Sequence, residues 1–418
     1  MEKMHLRKIT IITILLFFGL EIAWATGGSA YSRFGVGERL HMGSVRSLGM
    51  GGTGLALRGP GNLNLSNPAA WSDLQVVQFT GSLFYENINF DDGINTGGIG
   101  TGTINGATLA MPVMPSRGIT LSLGFAPMTR VGYNIETTRE IEDGSQITEH
   151  RGSGGITNIY AGTSYRFSRN LSIGAMAMYR MGILTYEWSN QYTLPGYSSG
   201  YTLRDLDVNG LAGHFGINFS GLLPSRQENQ PGPLTIGLTF TTPSRLNVEE
   251  DYTINYDIGV DTTTTRTGTI ELPYIAGIGI SYNIDRRNTI AIDLRYEPWE
   301  DFRKFGNPDN QLRNSYRFGA GWERHGRQEI GSGFFERTTF RLGFLYNASY
   351  FNIRGTPINE TLVTFGMGIP LSGIAVLDIG AQVGVRGTTD NNLQRDTLFR
   401  VYFSLNMFER WFVPPRIE

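Results

Sequence analysis

The chain reads as an all-β protein, a transmembrane antiparallel β-barrel of about fourteen strands with an N-terminal plug. Three observations predict it. Beyond Val76, apolar and polar residues alternate with period two almost to the end. Many of these segments carry Tyr or Trp on the apolar face near one end, as Tyr282, Tyr296, Trp322 and Tyr346 do, the pattern of an aromatic girdle. The opposite face is small and polar: Gly277, Gly279 and Ser281; Thr364, Gly366 and Gly368; Asp378, Gly380, Gln382 and Gly384. Such a face suits a lumen that holds something.

Composition agrees. With 418 residues, 55 of them Gly, 24 Phe and 19 Tyr, and only 17% charged, the chain is rich in turns and rings, and no linker divides it into soluble domains. A mean hydropathy of -0.17 fits strands whose lipid-facing and lumen-facing residues average out. The net charge of -2 argues against a broadly basic nucleic-acid surface. The absence of cysteine excludes thiolate metal sites, disulfides and cysteine nucleophiles.

At the N-terminus, Lys3, Arg7 and Lys8 precede the mostly apolar run Ile9–Leu20, and Ala23-Trp24-Ala25 fits a small-x-small cleavage site. Residues 1–25 are therefore expected to be a signal peptide, and the apolar run is shorter than the roughly 20 residues that a spanning helix needs.

The plug is assigned to residues 26–72. Its distinctive stretch, Gly43–Asp73, carries Gly49, Gly51, Gly52 and Gly54, an apolar run at Leu55–Leu57, and Asn67-Pro68-Ala69-Ala70. Glycine tolerates positive φ and close backbone approach, and Pro68 has no N–H, so neither a regular helix nor a strand suits it. The cluster superficially resembles a phosphate-binding loop but lacks the following Lys-Ser/Thr and any leading strand.

The barrel is assigned to residues 73–408, with strands near 76–86, 105–112, 118–130, 155–167, 170–187, 205–220, 234–248, 270–283, 289–298, 314–323, 336–349, 359–370, 373–385 and 396–407. In 399–406, Phe399, Val401, Phe403 and Leu405 are expected to face lipid. Long polar connections (Asn87–Ile104, Val131–Gly154, Trp188–Arg204, Glu249–Thr269) alternate with short ones (Ser168-Arg169, Ile284–Asn288, Leu371-Ser372). Gly221–Pro233 and Arg324–Phe335 are longer than the rule prefers. Long loops outside and short turns inside place both chain ends in the periplasm of a Gram-negative bacterium, with a periplasmic tail at 409–418.

The glycine cluster Gly49–Gly54, the apolar run after it and Asn67-Pro68-Ala69 resemble the hatch of the FadL/TodX family of outer-membrane hydrophobic-compound transporters. The resemblance implies a hatch plugging a fourteen-stranded barrel, uptake of long-chain fatty acids or hydrocarbons, and sideways release at a kink in the third strand. It assigns Arg46, Gly49, Gly51, Gly52, Asn67, Pro68 and Ala69 to the hatch and substrate path. The kink is expected at Ala126, Pro127 and Met128, because Pro127 cannot donate to a ladder; an ordinary bulge near the rim is the alternative. The extra tail beyond Phe408 departs from the family's terminal aromatic strand.

Little else carries chemistry. His214 falls on the lumen face with Ala212, Gly216 and Asn218, without a signature for a serine partner, so no enzyme and no catalytic residue is expected. Asp91-Asp92-Gly93 and Asp390–Asn392 read as turns, so no metal or other cofactor is expected. The lumen-face charges include Arg180, Asp293, Arg295, Arg317, Glu323, Arg341, Asp378 and Arg400, expected to pair with one another or with the plug, or for one or two arginines to meet an anionic head group. Expected partners are hydrophobic small molecules, outer-membrane lipid and the barrel-assembly machinery, with no nucleic acid. The other function class is a non-transporting scaffold or shuttle of a secretion system, as PorV is within the same broad family, with a secreted or periplasmic protein as partner.

Overall fold

The computed structural model describes residues 28–410, apart from 60–62, 142–143, 194–198, 226–231, 257–259, 328, 330 and 373. The signal peptide expected at 1–25 and most of the tail, 411–418, lie outside the described residues.

Fourteen antiparallel strands close into a barrel. They are β1 (Val77–Asp91), β2 (Thr96–Met114), β3 (Ile119–Pro127 and Thr129–Ile141), β4 (Gly144–Arg166), β5 (Leu171–Tyr192), β6 (Gly200–Phe219) and β7 (Leu234–Thr241 and Ser244–Tyr256). There follow β8 (Val260–Leu272 and Ile275–Asn283), β9 (Asn288–Glu297), β10 (Ser315–Arg324), β11 (Thr339–Ile353), β12 (Thr356–Ser372), β13 (Ala375–Gly387) and β14 (Arg395–Glu409). Each pairs with the next, and β14 closes on β1 from Val77↔Glu409 to Asp91↔Arg395. Closure leaves no strand edge facing hydrocarbon, where an unpaired backbone group has no water to bond.

Alternation places the two faces as the sequence reading required. Along β3, Leu121, Leu123 and Phe125 are exposed while Thr120 and Ser122 are buried; along β14, Phe399 and Phe403 are exposed while Arg400, Tyr402 and Ser404 are buried. Val401 and Leu405 share the outward face and are half-buried. The outer surface is thus an apolar band of a membrane-spanning barrel.

Several strands are longer than expected. The stretches read as polar loops at Asn87–Ile104, Val131–Gly154, Trp188–Arg204 and Glu249–Thr269 are mostly ladder: Ser244–Tyr256 pairs residue for residue with Val260–Leu272, for example. These extensions lack an apolar outer face because they continue past the hydrocarbon, so composition alone resembles a loop. The turn expected at Leu371-Ser372 lies two residues later, since β12 runs to Ser372 and β13 begins at Ala375.

Strand lengths locate where the membrane band ends. Counted from the short-turn side, β3 is interrupted after 9 residues, β7 after 8 and β8 after 9. β9 and β10 consist of only 10 each. A strand needs about 9–11 residues to cross hydrocarbon. The interruptions at Met128, at 242–243 and at 273–274 therefore mark one rim, beyond which the extensions bend over the lumen. There they build a core from residues such as Val131, Leu184, Leu206, Leu246 and Ile270, joined by Trp299 from the β9–β10 connection and by Tyr31 and Val36 from the N-terminal segment. Pro127 sits at this rim.

One seam differs from the others. The β2–β3 ladder ends at Ala107↔Phe125 and does not resume, whereas β3 pairs with β4 on both sides of Met128. Above the seam Glu38 and Arg39 pair antiparallel with Arg130 and Thr129, and the Leu40 N–H donates to the Met128 carbonyl at 2.9 Å. The N-terminal segment supplies the edge partner that β2 relinquishes.

The two faces give a direct test. Phe403→Arg puts a charge on the lipid face and should cost about 2–4 kcal/mol, read as lowered stability on refolding into lipid vesicles. Unchanged stability would mean that Phe403 does not face the bilayer.

Candidate functional site: the lumen and the N-terminal segment

Residues 28–59 and 63–75 pack against the inward faces of most strands, and backbone meets backbone. At Gly51 (φ +68) and Gly52 (φ +74) an added Cβ would run into the Phe344 carbonyl and the Arg317 guanidinium respectively. The wall answers with its own glycines: a Cβ at Gly343 or Gly321 would strike Gly51 or Met50, and one at Gly237 would strike Leu55. The small face noted in the sequence is small because the N-terminal segment lies against it.

The Asn67-Pro68-Ala69 element is an anchor. Asn67 caps the short 3-10 turn Pro68–Asp73 by accepting the Ala69 N–H at 3.0 Å. Its amide donates to the Leu55 carbonyl at 2.6 Å and to Asn218 of β6 at 3.0 Å. Gly174 and Gly216 leave the space that Pro68 and Asn67 occupy. Trp71, fully buried, donates to the Asn64 carbonyl at 2.7 Å, and Arg58 forks onto Asp73 at 2.8–2.9 Å.

Charges then fasten the segment to the wall in two clusters. In the first, the Glu38 carboxylate accepts from Arg130 of β3 (2.9 Å), Arg386 of β13 (2.7 Å) and Arg400 of β14 (2.8 Å). Arg130 and Arg400 also reach Glu86 of β1, Arg400 reaches Glu360 of β12 at 2.6 Å, and Arg386 holds Asp396 at 2.9 Å. In the second, Arg46 forks onto Glu323 of β10 at 2.8 and 2.5 Å. Arg341 of β11 bridges Glu323 (2.7 Å) and Asp378 of β13 (2.6 Å). Asp293 of β9 accepts the N–H groups of Gly54 (2.6 Å) and Leu55 (2.8 Å).

Of the charges singled out in the sequence, Arg341, Arg400, Glu323, Asp378 and Arg46 are thus in ion pairs. His214 is buried between the Thr241 hydroxyl (2.8 Å) and the Ser66 carbonyl (3.3 Å). Arg180, Arg295 and Arg317 stand apart from these pairs. Ala126 and Met128 are buried at the rim with Pro127 beside them. The sequence reading missed Glu38, Glu86, Arg130, Glu360, Arg386 and Asp396. Continuing each strand's inward parity past its apolar stretch would have found the five on the wall; Glu38, outside any periodic segment, left no signal.

The cavities between segment and wall are small. One of about 60 Å³ is lined by Arg39, His41, Arg317 and the Glu38 cluster. A second of about 60 Å³ is lined by Arg39, His41, Arg180, Arg295 and several apolar side chains. A third of about 20 Å³ lies behind the seam, against Gly106, Ala126, Pro127, Met42, Leu63 and Leu65. Burial, then Arg317, Arg295 and Arg39, hold His41 well below its ordinary pKa, so it is neutral.

Burial alone would raise the Glu38 pKa, but Arg386, Arg130 and Arg400 outweigh it and hold the carboxyl below its ordinary range. A depressed folded-state pKa contributes stability that is complete above the unfolded value, about 4.3, and is lost as pH falls. Glu38→Gln should cost about 3–5 kcal/mol by leaving buried guanidiniums uncompensated. The measurement is melting temperature and protease release of the N-terminal segment between pH 7 and pH 3. Wild type should loosen in acid, and the variant should be loose throughout with a flatter pH profile; a wild-type-like variant would refute the clasp.

Comparison with known proteins places this arrangement. Among solved structures, a Pseudomonas aeruginosa FadL homologue is similar with a TM-score of 0.60 and 13% identity over 88% of this chain and 98% of that one. The Pseudomonas putida toluene transporter TodX gives 0.59 and 15% over 90% and 99%. The Ralstonia pickettii toluene transporter TbuX gives 0.58 and 16% over 88% and 98%. The FadL-type barrel foreseen from the glycine cluster and the Asn-Pro-Ala element is the observed fold. No curated protein matches in sequence. The BamG family model matches residues 5–418, so the chain belongs to the BamG family.

Proposed function

We propose that the barrel admits small hydrophobic compounds across the outer membrane, with residues 26–72 as a hatch and the β2–β3 seam as the sideways exit. The observation that carries this reading is the ladder that stops at Ala107↔Phe125, with an apolar-sided cavity directly behind it. A greasy molecule leaving there, just under the rim at Met128, reaches the edge of the lipid band beside Phe125 rather than the periplasm. The solved relatives in fold include toluene transporters, which supports the reading. Cavities of about 60 Å³ pass no hydrocarbon, so passage requires the hatch to move, and the Arg46–Glu323 pair and the Glu38 cluster are what must yield. On this reading Arg46, Gly49, Gly51, Gly52, Asn67, Pro68 and Ala69 shape the path, both chain ends are periplasmic and the long strand extensions face outward.

Two experiments test it. Deleting residues 26–72 should leave a folded barrel with raised conductance in planar bilayers, and a closed barrel would remove the hatch. Cross-linking cysteines at Gly106→Cys and Ala126→Cys, across the seam where a Cβ on Gly106 comes 3.5 Å from the Ala126 Cβ, should stop uptake of a radiolabelled aromatic hydrocarbon without affecting folding; undiminished uptake would remove the lateral route.

A second reading has its own support: the lumen is braced by ion pairs rather than lined by an apolar tunnel, as suits a non-conducting scaffold for a secreted or membrane protein. Protein cross-links retained through purification, together with no hydrocarbon uptake, would decide for it.

A further inference from the structure

Most lumen charges are matched, and three are not. Arg180 of β5, Arg295 of β9 and Arg317 of β10 form no hydrogen bond or ion pair among the described residues. Arg180 and Arg317 are 3% and 7% exposed, and the Arg180 Nε and Arg317 Nη1 atoms are buried without an acceptor. Arg39 reaches Glu297 at 3.3 Å yet leaves Nε and Nη1 unsatisfied. All four guanidiniums line the two adjoining cavities of about 60 Å³, Arg317 and Arg39 in one and Arg180, Arg295 and Arg39 in the other.

The local carboxylates do not balance them. Glu297 serves Arg39, and Asp293 spends one oxygen on the Gly54 and Leu55 N–H groups and keeps the other unbonded. Two acids face four cations. In the neighbouring Glu38 cluster, the four carboxylates outnumber the three guanidiniums by one, but all four are hydrogen-bonded within it. Counting both, the lumen at this level is positive by one charge, with unsatisfied donors on residues that line enclosed space. A buried guanidinium without a bonded acceptor is costly, and the chain places three together.

We propose that this double cavity is an oxyanion site, in which Arg180, Arg295 and Arg317 bind a carboxylate or phosphate group as their missing counter-charge. Guanidinium forks match such groups in geometry as well as charge. Gly52 leaves the room in which the Arg317 guanidinium lies. About 60 Å³ holds a headgroup with some water and not a whole lipid. Met42, Leu65, Met128 and Met178 on the second cavity's wall suit the first carbons of an amphiphile as well as a free ion. The site stands whether or not the barrel conducts.

The test uses the full chain in maltoside detergent and anion-poor buffer, with equilibrium dialysis of radiolabelled phosphate and, separately, octanoate. The expected result is saturable binding of at least one probe, weakened about tenfold or more in Arg180→Gln and Arg317→Gln and unchanged in the exposed control Arg151→Gln. Octanoate alone, or octanoate displaced by phosphate, identifies an amphiphile's head; phosphate alone identifies a free anion. No saturable binding of either, or equal binding by both lumen variants, overturns the site. Arg180→Met and Arg317→Met supply a readout independent of binding. Each removes an uncompensated charge, so each should melt higher than wild type without anion and lose the anion-dependent rise in melting temperature. A lower melting temperature for both would mean that the protein itself compensates these arginines, and would overturn the proposal too.

Discussion

A closed sheet in hydrocarbon must satisfy every backbone group internally, and this constraint governs the rest of the molecule. Closure spends one face of each strand on lipid and leaves a ring of inward side chains with no second sheet to pack against. The chain fills that space with its own N-terminal segment, and glycine on both surfaces lets polypeptide approach polypeptide. The lumen is therefore packed largely by main chain, and its specificity comes from hydrogen bonds and charges more than from apolar shape.

Those charges are distributed by depth. Near the short turns the segment is held by Asn67, Trp71 and the Arg58–Asp73 pair. On that same side Arg46 meets Glu323, which Arg341 also holds, near the short-turn ends of β10 and β11, with Asp378 near that end of β13. Under the far rim Glu38 joins β3, β13 and β14, beside the unpaired arginines. The Glu323 group is neutralised within the protein, and the region under the far rim contains the imbalance and the two cavities of about 60 Å³ that Arg39 lines. On the oxyanion proposal, binding is concentrated under that rim, where the extensions cover it with an apolar core.

Much of this was legible in the sequence where a residue's neighbours two positions away share its fate. Period two gave the outward face of β14, and the small inward face announced a filled lumen. Asn67-Pro68-Ala69 and Gly49–Gly54 lie in the segment that packs against that face. Strand lengths were not legible, because Thr- and Gly-rich stretches such as 260–272 pair outside the membrane, where no apolar face is needed. Glu38 was not legible either: its role depends on Arg386 and Arg400, more than 340 residues away, and no local pattern encodes that. Pro127 was noticed, but only the matching interruptions in β7 and β8 show that it marks a rim.

The short pairing of Glu38 and Arg39 with β3 bears on how the molecule can be made. Those first residues complete a wall whose last strand, β14, is synthesised more than 350 residues later, and Ser29 already bonds Asp396 on that strand at 2.6 Å. Contacts so distant along the chain are slow to form, because loop entropy is lost before they repay it. The head of the chain must therefore wait, extended and unpaired, until the sheet is there to receive it. Either β14 and β1 close with the segment already between the strands, or the segment threads into the finished barrel from its short-turn end.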